Sequence, residues 1–201
     1  SDGFAIVARN IGTSHPFFDN GSRVNWKGSA LPLRSKHVTT LQALRDMTIA
    51  ILEEQDPSMI ERWKPATKGS TPVRPAREDL EKAQQWMTEF FDHMQELPCF
   101  KTIFSGDSID SWRQFPTPES PDDKGHLLLR PVGQQIFARA VGRVWGEGAL
   151  SLEAIFSKAT RFDSNGGFEV ARPANVWREV TFNSRTERMM IKQSERELAW
   201  E

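Results

Sequence analysis

The sequence predicts a mainly α fold: a compact multi-helix domain closed by a small C-terminal β-hairpin. Three observations lead there. Apolar residues recur at helical spacing over residues 78–97 and 132–145. Helix-start residues (Ser, Thr, Asp, or Pro at the first helical position) precede most of the apolar stretches. Hairpin-like patterning appears at residues 177–191, and the other extended stretch, Val24 to Leu33, is broken by Gly28 and Pro32.

The elements follow in order. Residues 4–12 form a short helix capped by Ser1 or Asp2 and ended by Gly12. His15-Pro16 then turns the chain. Residues 13–38 are irregular, with a turn at Asn20-Gly21 and with Val24, Trp26, Leu31 and Leu33 spaced to pack inward. Thr39 and Gln42 make a capping box ahead of a helix over about 40–54. Asp56-Pro57 starts another helix that ends near Trp63. Residues 64–77 are a loop whose charges, Lys64, Lys68, Arg74 and Arg77, are all positive. The clearest helix covers 78–97, with Leu80, Ala83, Met87, Phe90, Phe91, Met94 and Leu97 on one stripe and Pro98 as its stop. Residues 100–115 hold short helical turns, and 116–125 form an acidic loop.

Leu127, Leu128 and Leu129 are a buried run. Arg130-Pro131 opens a helix facing inward with Val132, Ile136, Phe137, Ala140, Val141, Val144 and Trp145, ended by Gly146 and Gly148. Ser151 caps a helix carrying Leu152, Ile155, Phe156 and Ala159, and Asn165-Gly166-Gly167 is a turn. Residues 177–191 fit a hairpin, Val180 and Phe182 against Met189 and Ile191, turning near Asn183-Ser184. A helix through 185–200 competes with it, and Ser194 with Glu197 suits a late cap.

The chain has 201 residues, and 26 basic against 27 acidic side chains leave a net charge of -1. One domain over 1–201 is expected, since a chain of this size buries roughly 70% of its unfolded surface without a metal or disulfide staple. Cys99 stands alone, which fits a reducing, cytoplasmic setting. No apolar run reaches the ~18 residues of a membrane span, so no membrane partner is expected. The chain starts Ser1-Asp2-Gly3 without Met or a leader pattern, as a processed or excised fragment or a cloning scar would. The near-zero charge excludes histone-like, whole-surface attraction to nucleic acid. Seven Trp and thirteen Phe stand beside no Tyr.

Enzymatic signals are weak. His15, His37, His93, His126 and Cys99 include no pair at zinc-motif spacing, so no metal or other cofactor is expected. Phosphate-loop and nucleophile-elbow motifs are missing. Cys99, between Pro98 and Phe100, reads as a buried structural thiol. Asp122-Asp123 and Glu53-Glu54 read as solvated pairs, and Asn20-Gly21-Ser22 as an unused glycosylation sequon. Glu89, Asp92 and His93 would be catalytic only if buried together in a pocket.

Three cationic sets have the chemistry for phosphate: Arg23, Lys27, Arg34, Lys36 and His37 around Trp26; Lys64, Lys68, Arg74 and Arg77; and Arg130, Arg139 and Arg143 beside Gln134. Each can equally be a solvated face.

Three segments sharpen this choice. RVNWKGSALPLRSKHVTTLQAL (23–44), GHLLLRPVGQQIFARAV (125–141) and the late Trp177-Arg178-Glu179-Val180 resemble, in order and spacing, the DGQHR-domain proteins, in particular the DndB-type DNA sulfur modification proteins. The Asp-Gly-Gln-His-Arg signature of that family is missing, so the chain resembles the C-terminal, helix-rich part. The N-terminal region's chemistry cannot be carried over.

The resemblance implies a bacterial, DNA-associated regulator of phosphorothioate modification genes, with no verified contact residues in this half. The expected partner is double-stranded DNA, with Arg34, Lys36 and His37 on phosphates ahead of the helix near Thr40, whose N-terminus would add N–H donors. Arg23, Lys27, Arg130, Arg139 and Arg143 would extend that face. The rival expectation is an assembly module that forms a homo-oligomer or packs on a DGQHR-type N-terminal domain, with Trp26, Trp112 and Trp177 as anchors.

Overall fold

The computed structural model describes residues 2–32, 34–63, 74–172 and 177, with the backbone of 182–183 and 188–189. Leu33, Lys64, Lys68, Val180, Ile191 and the Ser194/Glu197 cap lie outside the described residues. The fold is mainly helical, as the sequence predicts.

Local signals set most boundaries. α1 (Gly3–Ser14) starts where the Asp2 carboxylate accepts from Ala5 N. It runs past Gly12, because that glycine lies flush under the Trp26 ring and does not terminate the helix. His15 then leads into a 3-10 turn, Pro16–Phe18. β1 (Val24–Asn25) pairs in parallel with β2 (Thr39–Thr40), Val24 facing Thr39. Nothing in the sequence foretells this pairing.

α2 (Leu41–Gln55) is capped by Thr40, not by Thr39 as expected. Thr39 is otherwise engaged, donating its hydroxyl to Gln134 Oε1. α3 (Pro57–Trp63) uses Asp56 as predicted, and α4 (Arg77–Met94) is the long amphipathic helix. Pro98 does not merely stop α4: it occupies the first turn of α5 (Pro98–Phe104). α6 (Ile109–Arg113), a 3-10 turn (Leu127–Leu129), α7 (Pro131–Gly146) and α8 (Leu152–Ser164, capped by Ser151) follow. β3 (Phe182–Asn183) and β4 (Arg188–Met189) pair antiparallel with Phe182 facing Met189, the predicted partners, but Asn183, expected at the turn, is itself paired with Arg188.

α2 and α7 form the central pair, with α1, α3 and α4 against α2 and α8 against α4 and α7. The inward face of α7 differs from expectation. Gly133, Gln134, Ile136, Phe137, Ala138, Val141 and Gly142 are buried, whereas Ala140 is exposed and Val132, Val144 and Trp145 are only partly covered. Gly142 and Gly146 account for the rotation: a Cβ at these positions would sit 3.0 Å from Ala50 O and 2.5 Å from Glu54 O. Glycine lets the two backbones approach, and that contact outweighs the apolar count of the other face.

The core is rich in phenylalanine. Phe17 meets Phe18, Phe100 and Phe104 edge-to-face, and farther along Phe156 meets Phe90 and Phe137 edge-to-face. A buried tyrosine would need a partner for its hydroxyl, whereas Phe fits a dry core without one. Among the described residues, no helix is long and apolar enough to cross a membrane.

Two caps carry a pH dependence. Burial pushes Asp2 up, but bonds from Arg45 and Ala5 N outweigh it and hold the carboxyl below its usual range. Bonds from Ser58, Met59 N and Lys82 do the same for Asp56 despite some opposing burial. A lowered folded-state pKa stabilises above the unfolded value, and that stabilisation is lost as pH falls through the folded one. Chemical denaturation is therefore expected to show stability falling below the ordinary carboxylate range. Asp2→Asn with Asp56→Asn should flatten that fall while keeping both caps, since asparagine caps a helix about as well as aspartate, and should cost about 0–1 kcal/mol per site near neutrality for the lost ion pairs with Arg45 and Lys82; an unchanged acid limb would exclude both carboxylates as its source.

Candidate nucleic-acid interface

The β1–β2 pairing sets the chain at Arg23 beside the segment that follows Pro32, since Val38 N and Thr39 N both donate to Arg23 O. Arg23, Arg34 and Lys36 thereby line one open pocket of about 300 Å³, with Ser35, Phe104, Ser108, Asp107 and Asp110 among its walls. Arg23 is the ordered cation. Its guanidinium lies 3.8 Å from the Phe104 ring centre and donates to Phe17 O at 2.9 Å. Burial lowers its pKa, with Asp19 opposing. Arg34 and Lys36 are exposed at the rim.

The backbone between them is held from below by a residue that sequence reasoning passed over. Arg113, 2% exposed, donates from Nη1 to Ser35 O (2.7 Å), from Nη2 to His37 O (2.5 Å) and from Nε to Leu129 O (3.0 Å). One guanidinium thus joins α6, the segment around Lys36 and the 3-10 turn. The only hint in the sequence was a cation directly after the apolar Ile109 and Trp112.

The remaining candidates are placed elsewhere. Lys27 is exposed but does not line the pocket. His37 is half-buried, its Nδ1 3.0 Å from Ser35 Oγ. Arg130 turns inward over Phe115 at 4.3 Å and donates to Arg113 O. Burial, then the Arg113 charge, push its pKa down to about 10. Arg139 pairs with Glu53 at 3.0 Å and Arg143 with Glu147 at 3.2 Å. Gln134 is a buried clamp donating to Val38 O and Leu128 O. Of the loop set, Arg74 is exposed and Arg77 pairs with Glu81. At the α2 N-terminus Thr39 and Thr40 are buried, and Ala43 N is taken by the Thr40 hydroxyl. Of the eight side chains expected to meet DNA, Arg23, Arg34 and Lys36 line one pocket, while Arg130 turns inward and Arg139 and Arg143 pair with acids.

The proposed Glu89–Asp92–His93 constellation does not assemble. Glu89 accepts from Gln85, Asp92 accepts from His15, and His93 stacks on Phe156. Trp26 is 37% exposed but lays its ring over Gly12 and Gly21, and Trp177 donates to Gly167 O. Trp112 stands 5.6 Å from His126. An apolar depression of about 320 Å³ lies between α7 and α8, lined by Phe137, Phe162, Phe168 and Trp177 among others.

A second polar group lies in the interior. Asp163, at the end of α8, accepts from His126 Nε2 at 2.7 Å and from Cys99 N at 2.9 Å. Burial raises the Asp163 pKa, yet these bonds bring it below the usual carboxylate range. Cys99 is fully buried, as the sequence predicts, and burial followed by the Asp163 charge drives its thiol pKa well up. Positions 99, 126 and 163 have no motif spacing, so the group was illegible in the chain.

No family model matches the chain, and neither a curated protein nor a solved structure matches it.

Proposed function

We propose that the chain is a DNA-associated accessory domain that meets duplex phosphates at the rim formed by Arg23, Arg34 and Lys36. The observation that carries this reading is the convergence of three cations, 11 and 2 residues apart in sequence, on one open pocket. Arg113 supports it by fixing the backbone on both sides of Lys36, which reduces the entropy lost on contact. Asp107 and Asp110 on the same walls disfavour a phosphate sunk deep inside. They favour a phosphodiester backbone lying across the mouth over a small phosphate monoester. The resemblance to DndB-type proteins supports a regulatory role in DNA phosphorothioate modification, in a bacterial cytoplasm where a lone thiol stays reduced.

Duplex binding measured by anisotropy across a salt series tests this. Arg34→Ala with Lys36→Ala should flatten the log–log salt slope by about two. An unchanged slope removes both residues from the contact. Failure of the unmodified chain to bind duplex at low salt overturns the reading, and self-association in sedimentation would then favour an assembly module.

A further inference from the structure

We propose that Cys99, His126 and Asp163 form a buried structural site for a divalent cation of the zinc class. The three residues come from the first turn of α5, the strand-like approach to the 3-10 turn, and the last turn of α8. One donor atom from each, the thiol sulfur, a ring nitrogen and a carboxylate oxygen, lies within 4.8 Å of the other two. The side chains of His126 and Asp163 are each 1% exposed, and Cys99 is fully buried. Thiolate sulfur, imidazole nitrogen and carboxylate oxygen are donors that zinc takes, and these three would fill three of its four tetrahedral positions after a small contraction.

A second observation bears on the site. Nε2 of His126 and the Asp163 carboxylate already face one another at 2.7 Å, so an ion that replaces the Nε2 proton meets both donors at once. Nδ1 of His126 is buried without a hydrogen-bond partner and is free to take the proton that Nε2 gives up. The rings of Trp112 and Phe168, 5.6 and 5.7 Å from His126, wall the group in apolar surface. Because the group is sealed and draws on three separated elements, the ion would staple α5 to α8 and not act on a substrate. Binding requires the Cys99 thiol to release its proton to solvent and the His126 proton to move from Nε2 to Nδ1.

The test titrates the chelator-treated 201-residue chain with zinc alone and with cobalt(II) alone. One zinc per chain, a higher melting temperature and a cobalt–thiolate charge-transfer band are expected. The chain has a single cysteine, so that band can arise only from Cys99. His126→Gln should weaken zinc binding by about tenfold or more. A folded chain that takes up no zinc, or that binds cobalt without the thiolate band, overturns the proposal. Duplex binding at the cationic rim is scored separately and does not depend on this outcome.

Discussion

Replacing Arg113 with alanine is expected to destabilise the protein by about 3–5 kcal/mol, since a buried polar group left without its partner costs about 1–3 kcal/mol. Three carbonyls, those of Ser35, His37 and Leu129, lose their donor at once. The guanidinium has no carboxylate in direct contact among the described residues. It is satisfied by carbonyl dipoles, and although burial lowers its pKa it stays protonated at neutrality. Lysine at this position keeps the charge but cannot span three acceptors in one plane, so Arg113→Lys should fall between alanine and the unmodified chain. Denaturant unfolding measures the ordering. In duplex binding, Arg113→Lys should reduce affinity while keeping the salt slope, because Arg34 and Lys36 retain their charges and lose only their fixed backbone. Equal stability of all three proteins would mean that Arg113 does not organise the rim.

Gly133→Ala is expected to be the second large loss, about 2 kcal/mol. A Cβ there would run into the carbonyl of Leu127 and approach Leu127 Cγ to 2.7 Å. Overpacking costs about 1–3 kcal/mol, and this case falls at the upper end because an obstructing backbone group cannot rotate away as a side chain would. Alanine's better helix propensity returns up to about 1 kcal/mol. For a chain of this length the melting temperature should drop by roughly 4–8 °C. Gly142→Ala, whose Cβ would stand 3.0 Å from Ala50 O, should cost less. If Gly133→Ala melts with the unmodified chain, the turn before α7 gives way more easily than its packing implies.

What the chain revealed beforehand was local. Asp2, the Asp56-Pro57 pair and Ser151 act within one helical turn of themselves, so their caps could be read directly. The stripe on α4 was legible because its buried residues are also its apolar ones. Failures came where distant contacts decided the outcome. Thr39 gave up its expected cap to a hydroxyl bond with Gln134, 95 residues away. The face of α7 turned because Gly142 and Gly146 permit an approach that hydrophobicity does not register. In the chain Arg130 reads as a surface cation, because nothing adjacent in sequence shows that it lies over Phe115 and donates to Arg113 O. The candidate rim was half legible: Arg23, Arg34 and Lys36 were chosen for charge, but their grouping depends on a two-residue parallel pairing with no periodic signal.

The glycine seam between α2 and α7 also bears on motion. Side chains can slide past one another by changing rotamer, but two backbones in near contact cannot, so a shift by one residue along this pair would drive a Cβ into a peptide group. The pair should behave as an incompressible spine whose amides exchange with solvent last. Any adjustment that accompanies ligand capture must then fall to α6 and the chain around Lys36, which are tied to their surroundings by the Arg113 and Gln134 hydrogen bonds and not through interlocked backbone.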